Sequence, residues 1–118
     1  MELSRLEQQI LKAMALADRE RSTMEAQIRA ATVISREYTN VGFFTKLSIP
    51  DDLAALDRGR WRLEDMPSGF AQHPVLTAGA SFILWIKEGR LVTLEGFTND
   101  GDWPADETEF RVSGRGHW

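Results

Sequence analysis

The sequence predicts an α+β domain in which N-terminal helical segments pack on one face of an antiparallel sheet of about four to six strands. Three observations carry this prediction. Apolar residues recur at spacings of three and four up to residue 31, the apolar period changes to two after residue 32, and the later apolar runs are separated by short turn-forming stretches. At 118 residues the chain has the length of one domain, read as helical over 2–31, β-rich over 32–113 and a mobile tail over 114–118.

The helical reading starts with Leu3, Leu6, Ile10, Ala13 and Ala17, which share one face of a 3.6-residue repeat, with Leu11 and Met14 widening the stripe. The run Asp18-Arg19-Glu20-Arg21 interrupts that stripe. Ser22, with Glu25 three residues on, has the form of a capping box that opens a second helix bearing Met24, Ile28 and Ala31. No glycine or proline enforces the break, so one long bent helix is the competing reading.

Strand signals follow. Residues 33–39 are rich in β-branched and aromatic residues, Asn40-Val41-Gly42 supplies turn chemistry, and Phe43, Thr45, Leu47 and Ile49 alternate with Phe44, Lys46 and Ser48. Pro50-Asp51-Asp52 ends that strand, 53–57 reads as a single helical turn, and Trp61 and Leu63 alternate with Arg60, Arg62 and Glu64 as a short strand. With two prolines and two glycines, 66–79 reads mostly as loop.

The strongest local pattern is a hairpin of 80–87 and 90–98 about the tight turn Glu88-Gly89. A two-residue turn with regular pairing sets Ile86 opposite Leu91, Leu84 opposite Thr93 and Phe82 opposite Glu95 on one face, with Trp85/Val92 and Ile83/Leu94 on the other. Both faces are then largely apolar. The helices cover one, and the 66–79 loop or a second subunit, giving a homodimer, is expected to cover the other. A polar loop over 99–109 and a short last strand over 110–113 complete the β-rich part.

Composition narrows the chemistry. The absence of cysteine excludes disulfides, thiolate nucleophiles and Cys-based metal sites, and His73 and His117 lie where neither has a recognisable partner. There is no nucleophile elbow, phosphate loop or dinucleotide fingerprint, so the sequence leans away from catalysis and implies no cofactor. No apolar run is long enough to span a membrane, and Glu2, Arg5, Glu7 and Lys12 break any signal-peptide core, which makes a cytoplasmic protein without a membrane partner the expectation.

The net charge of −4 has a position. Asp100, Asp102, Asp106, Glu107 and Glu109 fall within ten residues free of Lys and Arg, and without these five the 18 acids become 13 against 14 basic residues. As a calcium loop the segment fails, because Pro104, Ala105 and Arg111 occupy the fifth, sixth and twelfth positions, so no metal is assigned. The functional reading is an acidic surface at Asp100, Asp102, Asp106 and Glu107 that docks a basic protein partner, with Trp103 as its aromatic anchor. Arg58, Arg60, Trp61 and Arg62 combine cations with an aromatic ring, but alternation puts Trp61 opposite Arg60 and Arg62, so nucleic acid is disfavoured and pairing with the acidic loop is preferred.

The alternative is a ligand-binding or enzymatic pocket between helix and sheet. The expected register sets Glu95 on an apolar strand face beside Phe82 and near Phe97, where desolvation raises a carboxyl pKa, with Tyr38 and Phe43 completing the lining and Arg36 or Glu37 nearby.

The segments Ser35-Arg36-Glu37-Tyr38-Thr39, Val41-Gly42-Phe43-Phe44-Thr45, the stretch 79–89 and Leu94-Glu95-Gly96-Phe97-Thr98 with Trp103-Pro104 together resemble a group of small uncharacterised bacterial proteins. The resemblance implies a bacterial cytoplasmic protein and carries no activity or site residue. A helix followed by a curved antiparallel sheet is also similar to cystatin-like folds, which makes a cystatin-like roll with an internal pocket the alternative architecture. The function expected from the sequence is therefore a non-catalytic interaction module of immunity or adaptor type, with the pocket around Glu95 as the alternative.

Overall fold

The computed structural model describes residues 1–58 and 63–113. Two helices, α1 (Arg5–Ala17) and α2 (Arg21–Ala30), precede six strands: β1 (Thr32–Tyr38), β2 (Gly42–Ser48), β3 (Ser68–His73), β4 (Leu76–Lys87), β5 (Arg90–Thr98) and β6 (Arg111–Ser113). The strands form one antiparallel sheet in the order β1-β2-β5-β4-β3-β6, with the helices packed against one face. The α+β class expected from the sequence is the class observed.

The helical region is broken, not bent. The Asp18 carboxylate accepts the Glu20 N–H at 2.8 Å, closing a local turn that competes with continuation of the helix. The capping box lies at the first helix. Ser4 Oγ accepts the Glu7 N–H at 3.1 Å while the Glu7 carboxylate accepts the Ser4 N–H at 2.7 Å. The expected box at Ser22 and Glu25 does not form, because α2 already starts at Arg21 and its N-cap, Glu20, makes no side-chain capping bond. Ser22 thus sits inside the helix.

The sheet includes a strand where a loop was expected. Within 66–79, residues Ser68–His73 form β3, whose Gly69 lies beneath Met14 and Ile10 of α1, so this segment is part of the sheet instead of a cover for its second face. A Cβ there would meet both side chains at 3.4–3.6 Å, ordinary packing distance. Residues 53–57 contain no helix. The expected strand about Trp61 lies outside the described residues at 60–62, and its last two residues, Leu63 and Glu64, form a 3-10 turn (Leu63–Asp65) instead; the expected tail over 114–118 lies outside the described residues.

The β4–β5 hairpin explains the largest correction. Glu88 (φ 53°) and Gly89 (φ 77°) are both left-handed, as a two-residue turn that matches strand twist requires. Lys87 then pairs with Arg90 and Ile86 with Leu91, as expected. One residue later the register shifts, leaving Val92 as an extra residue, and Trp85 faces Thr93, Leu84 faces Leu94, Ile83 faces Glu95 and Phe82 faces Gly96. A one-residue shift exchanges the faces of everything after it. Without the bulge, Thr93 and Glu95 would face the helices. With it, Leu91 and Leu94 are buried there, and Glu95 faces away.

Gly96 completes that face. A Cβ at this position would lie 2.5 Å from the Phe43 ring and 2.9 Å from the Phe82 ring, so only glycine admits both aromatics over β5. Around them Leu6, Ile10, Leu11, Met14 and Met24 from the helices meet Leu47, Leu84, Ile86 and Leu94 from the sheet in one core. Each such fully buried side chain contributes roughly 1.5–3 kcal/mol relative to exposure.

Candidate acidic docking end

Three connections meet at one end of the sheet: the β1–β2 turn at 39–41, the β3–β4 turn at 74–75 and the loop 99–110 after β5. Backbone hydrogen bonds tie the long loop to the β1–β2 turn and to β4. Trp103 N–H donates to Asn40 O at 2.8 Å, Thr98 N–H to Val41 O at 2.8 Å and Asn99 N–H to Gly79 O at 3.0 Å. The acidic loop is thus folded down onto the strand ends.

Its carboxylates divide by what they touch. Asp100 accepts the Thr77 and Ala78 N–H groups at 3.0 and 2.8 Å, which pins the loop to the start of β4. Asp106 caps the 3-10 turn Glu107–Glu109 through the Thr108 N–H, and these bonds from Thr108 hold its carboxyl below the usual carboxylate range. Glu107 accepts both the Trp103 indole N–H at 2.8 Å and the Tyr38 hydroxyl at 3.0 Å. Burial, together with the Glu107 charge, pushes the Tyr38 hydroxyl up to about 12. Asp102 and Glu109 remain exposed at the surface.

Below the loop lies a rigid aromatic support. Trp103 stands edge-on to Phe43 with centroids 5.2 Å apart and lies 5.0 Å from Phe110, while His73 stands edge-on to Phe110 at 4.8 Å. Trp103 is half-buried in this cluster, with its indole N–H on Glu107, so its larger part anchors the loop to the core. His73 is buried as well. Its Nε2 lies 2.7 Å from Asp106 O and its Nδ1 accepts the Val75 N–H at 3.2 Å, an arrangement that selects the neutral Nε2–H tautomer and occupies both ring nitrogens. That leaves no free nitrogen for general-base work.

Around this support the surface is acidic and partly apolar. Val75 (69% exposed), Tyr38 (56%) and Val41 (48%) stand out beside Asp102, Asp106 and Glu109. Neither 37–45, 63–86 nor 91–110 contains a lysine or arginine, and these stretches supply all three connections. The three connections themselves therefore carry only acidic charge, with Arg5 of α1 beside Glu107 and Arg111 at the start of β6 bordering them.

The residues expected around Glu95 do not converge. Phe43 and Phe82 are fully buried on the helix face, and Tyr38 lies on that same face at the sheet edge. Glu95 and Phe97 are on the other face, where Glu95 Oε1 accepts the Trp85 indole N–H at 3.0 Å between Ile83 and Phe44. The bulge at Val92 accounts for this separation. Arg36, expected near Glu95, is instead directed to the helix side. Side chains on opposite faces of one sheet do not line a common cavity.

What the sequence reading missed is a buried ion pair on the helix face. Glu7 is almost wholly buried and receives Arg36 Nε at 2.9 Å, Arg36 Nη2 at 2.6 Å and the Thr45 hydroxyl. Burial alone would raise its carboxyl, but the bonds from Arg36, Thr45 and the Ser4 N–H outweigh burial and hold it below the ordinary value. A second buried pair joins Arg58 to Asp18 at 2.6 and 2.7 Å, with Glu20 3.7 Å away. Arg58 therefore braces the helix break and does not pair with the acidic loop. Ser4-x-x-Glu7 ahead of the first apolar stripe was the legible signal for the Glu7 end; nothing local marks Arg36 as the partner of Glu7 or Arg58 as the partner of Asp18.

No group of three His, Asp or Glu residues among those described is arranged to hold a metal ion, and no described helix is long and apolar enough to cross a membrane. No protein-family model, curated protein or solved structure matches the chain.

Proposed function

We propose that the protein is a non-catalytic interaction module of adaptor or immunity type, and that the acidic end of its sheet docks a basic protein partner. The observation that carries this reading is the coincidence of exposed Tyr38, Val41 and Val75 with carboxylates of a single sign on a backbone that is already ordered. An ordered surface loses little conformational entropy on binding, apolar side chains supply the desolvated centre, and surrounding carboxylates steer an oppositely charged partner. Asp100, Asp106 and Glu107 shape the surface through internal bonds. Asp102 and Glu109 are left to meet a partner.

A nitrogen–proton NMR titration with a synthetic peptide rich in lysine, arginine and leucine tests the reading. Saturable shifts should appear at residues 38–41, 74–78 and 99–109 and weaken with salt, and Asp102→Lys with Glu109→Lys should remove them. Equal shifts at Asp51 and Asp52, at the other end of the sheet, would reduce the effect to general charge attraction and defeat the proposal.

A further inference from the structure

The helical layer carries a second surface, opposite in sign. Residues 1–31 contain five acids (Glu2, Glu7, Asp18, Glu20, Glu25) and five basic residues (Arg5, Lys12, Arg19, Arg21, Arg29), so the segment is neutral as sequence. Folding changes that balance. Glu7 pairs with Arg36 from β1, and Asp18 and Glu20 face Arg58, all at buried or largely buried positions. Two acids, Glu2 and Glu25, then remain toward solvent against five exposed cations, and Glu25 is held by Arg21 at 3.4 Å.

Within this layer a cleft of about 660 Å³ opens between α1, α2 and the start of β1. Leu3, Ala15, Ile28 and Ala31 give it an apolar lining, while Lys12 from α1 and Arg29 from α2 stand at its rim. Both cations are exposed, and neither has an ion pair or side-chain hydrogen bond among the described residues. The volume is far larger than a single ion, and apolar lining beneath two separated cations matches a ligand with an apolar body and carboxylates on its flanks. Glu2 and Glu25 also line the cleft, Glu25 held by Arg21, so a ligand has to place separate carboxylates on Lys12 and Arg29 and keep the rest of its length uncharged, which a continuous phosphate backbone does not do.

We propose that this cleft docks an acidic, amphipathic polypeptide segment of a partner protein, its carboxylates on Lys12 and Arg29 and its apolar side chains over Leu3 and Ile28. Thr32 borders the cleft and Tyr38 belongs to the acidic end, so the two surfaces lie at opposite ends of β1, about 20 Å apart along the strand. This proposal is independent of the acidic end. Together the two surfaces would let one domain bridge partners of opposite charge.

The test is fluorescence anisotropy with a fluorescein-labelled peptide of glutamate and leucine in a helical amphipathic repeat, against the whole chain. Saturable binding is expected, and Lys12→Glu with Arg29→Glu should weaken it by about tenfold or more. Both side chains are exposed, and an unchanged circular-dichroism melt would confirm that the double variant folds. Asp102→Lys should leave this binding unaltered, which separates the cleft from the acidic end. No saturable binding, equal binding of the same peptide with every leucine replaced by serine, or full binding by the double variant would each overturn the proposal.

Discussion

The acids of the helical layer and the acids of the 99–110 loop respond to folding in opposite ways. In the helical layer Glu7, Asp18 and Glu20 are drawn inward by arginines from β1 and from the segment before residue 59, and a neutral segment becomes a cationic surface. Among the described residues no arginine forms an ion pair with a loop carboxylate. Asp100, Asp106 and Glu107 instead take backbone N–H, indole and hydroxyl donors, and the loop stays acidic. Segment charge read along a chain is therefore a poor guide to surface charge wherever an ion pair joins distant elements. It is a good guide where carboxylates find neutral donors.

The widest difference between the two regions is in what each carboxylate does for stability. Glu7→Ala leaves the Arg36 guanidinium without its partner and the Thr45 hydroxyl without its acceptor, and breaking such a buried pair typically costs about 3–5 kcal/mol. Urea unfolding should show that loss as a lower midpoint with an unchanged slope. The same group predicts an acid-side effect. Its folded pKa is depressed, so its contribution is fully present above the unfolded carboxylate value near 4.5 and is lost as pH falls through the lower folded value. Unfolding midpoints compared between pH 7 and pH 3 should drop less in Glu7→Ala than in the parent.

Next in size is the latch of the acidic loop. Glu107→Ala removes the charged acceptor of two hydrogen bonds, each worth about 1.5–3 kcal/mol at most, and Tyr38 is exposed enough for water to replace part of the loss. Trp103 should become more solvent-exposed, read as a red shift in tryptophan emission. Tyr38 adds a base-side prediction. With its folded pKa raised to about 12, its contribution is full below pH 10 and is lost as pH rises from about 10 to about 12. Tyr38→Phe should flatten stability in that window.

A smaller effect locates the helix start. Ser4→Ala should cost about 1 kcal/mol by thermal melting, whereas Ser22→Ala, inside α2, should be close to neutral. Equal effects would restore the capping box expected at Ser22. The smallest change is expected at Asp102 and Glu109. Substitution of either by alanine should leave the melt unmoved while weakening capture of the basic peptide, the signature of a surface group that acts on a partner and not on the fold.

Strand and helix periods were legible because they depend on local spacing: Leu6, Ile10 and Met14 on one helix face, and Phe43, Thr45 and Leu47 on one strand face, needed no knowledge of their neighbours. The Glu88-Gly89 turn was equally local, since a left-handed pair is a property of two residues. Glu95 was not. Its face depends on Val92, and nothing within the hairpin favours a bulge there until the helices demand an apolar surface of Leu84, Leu94 and Gly96. β3 was hidden among the glycines and prolines of 66–79 because Ser68, Gly69 and Ala71 carry little strand propensity of their own, and its place is set by pairing with β4 and β6.

By itself, then, the sequence determined the α+β class, helices ahead of strands, the tight hairpin turn and the position of the acidic loop, because each follows from residues a few positions apart. The tertiary structure decided which face Glu95 occupies, which arginines bury Glu7 and Asp18, and how three connections without lysine or arginine meet at one end of the sheet. Those outcomes depend on pairings across tens of residues, fixed by the need to bury apolar surface and to leave no buried charge without an opposite partner.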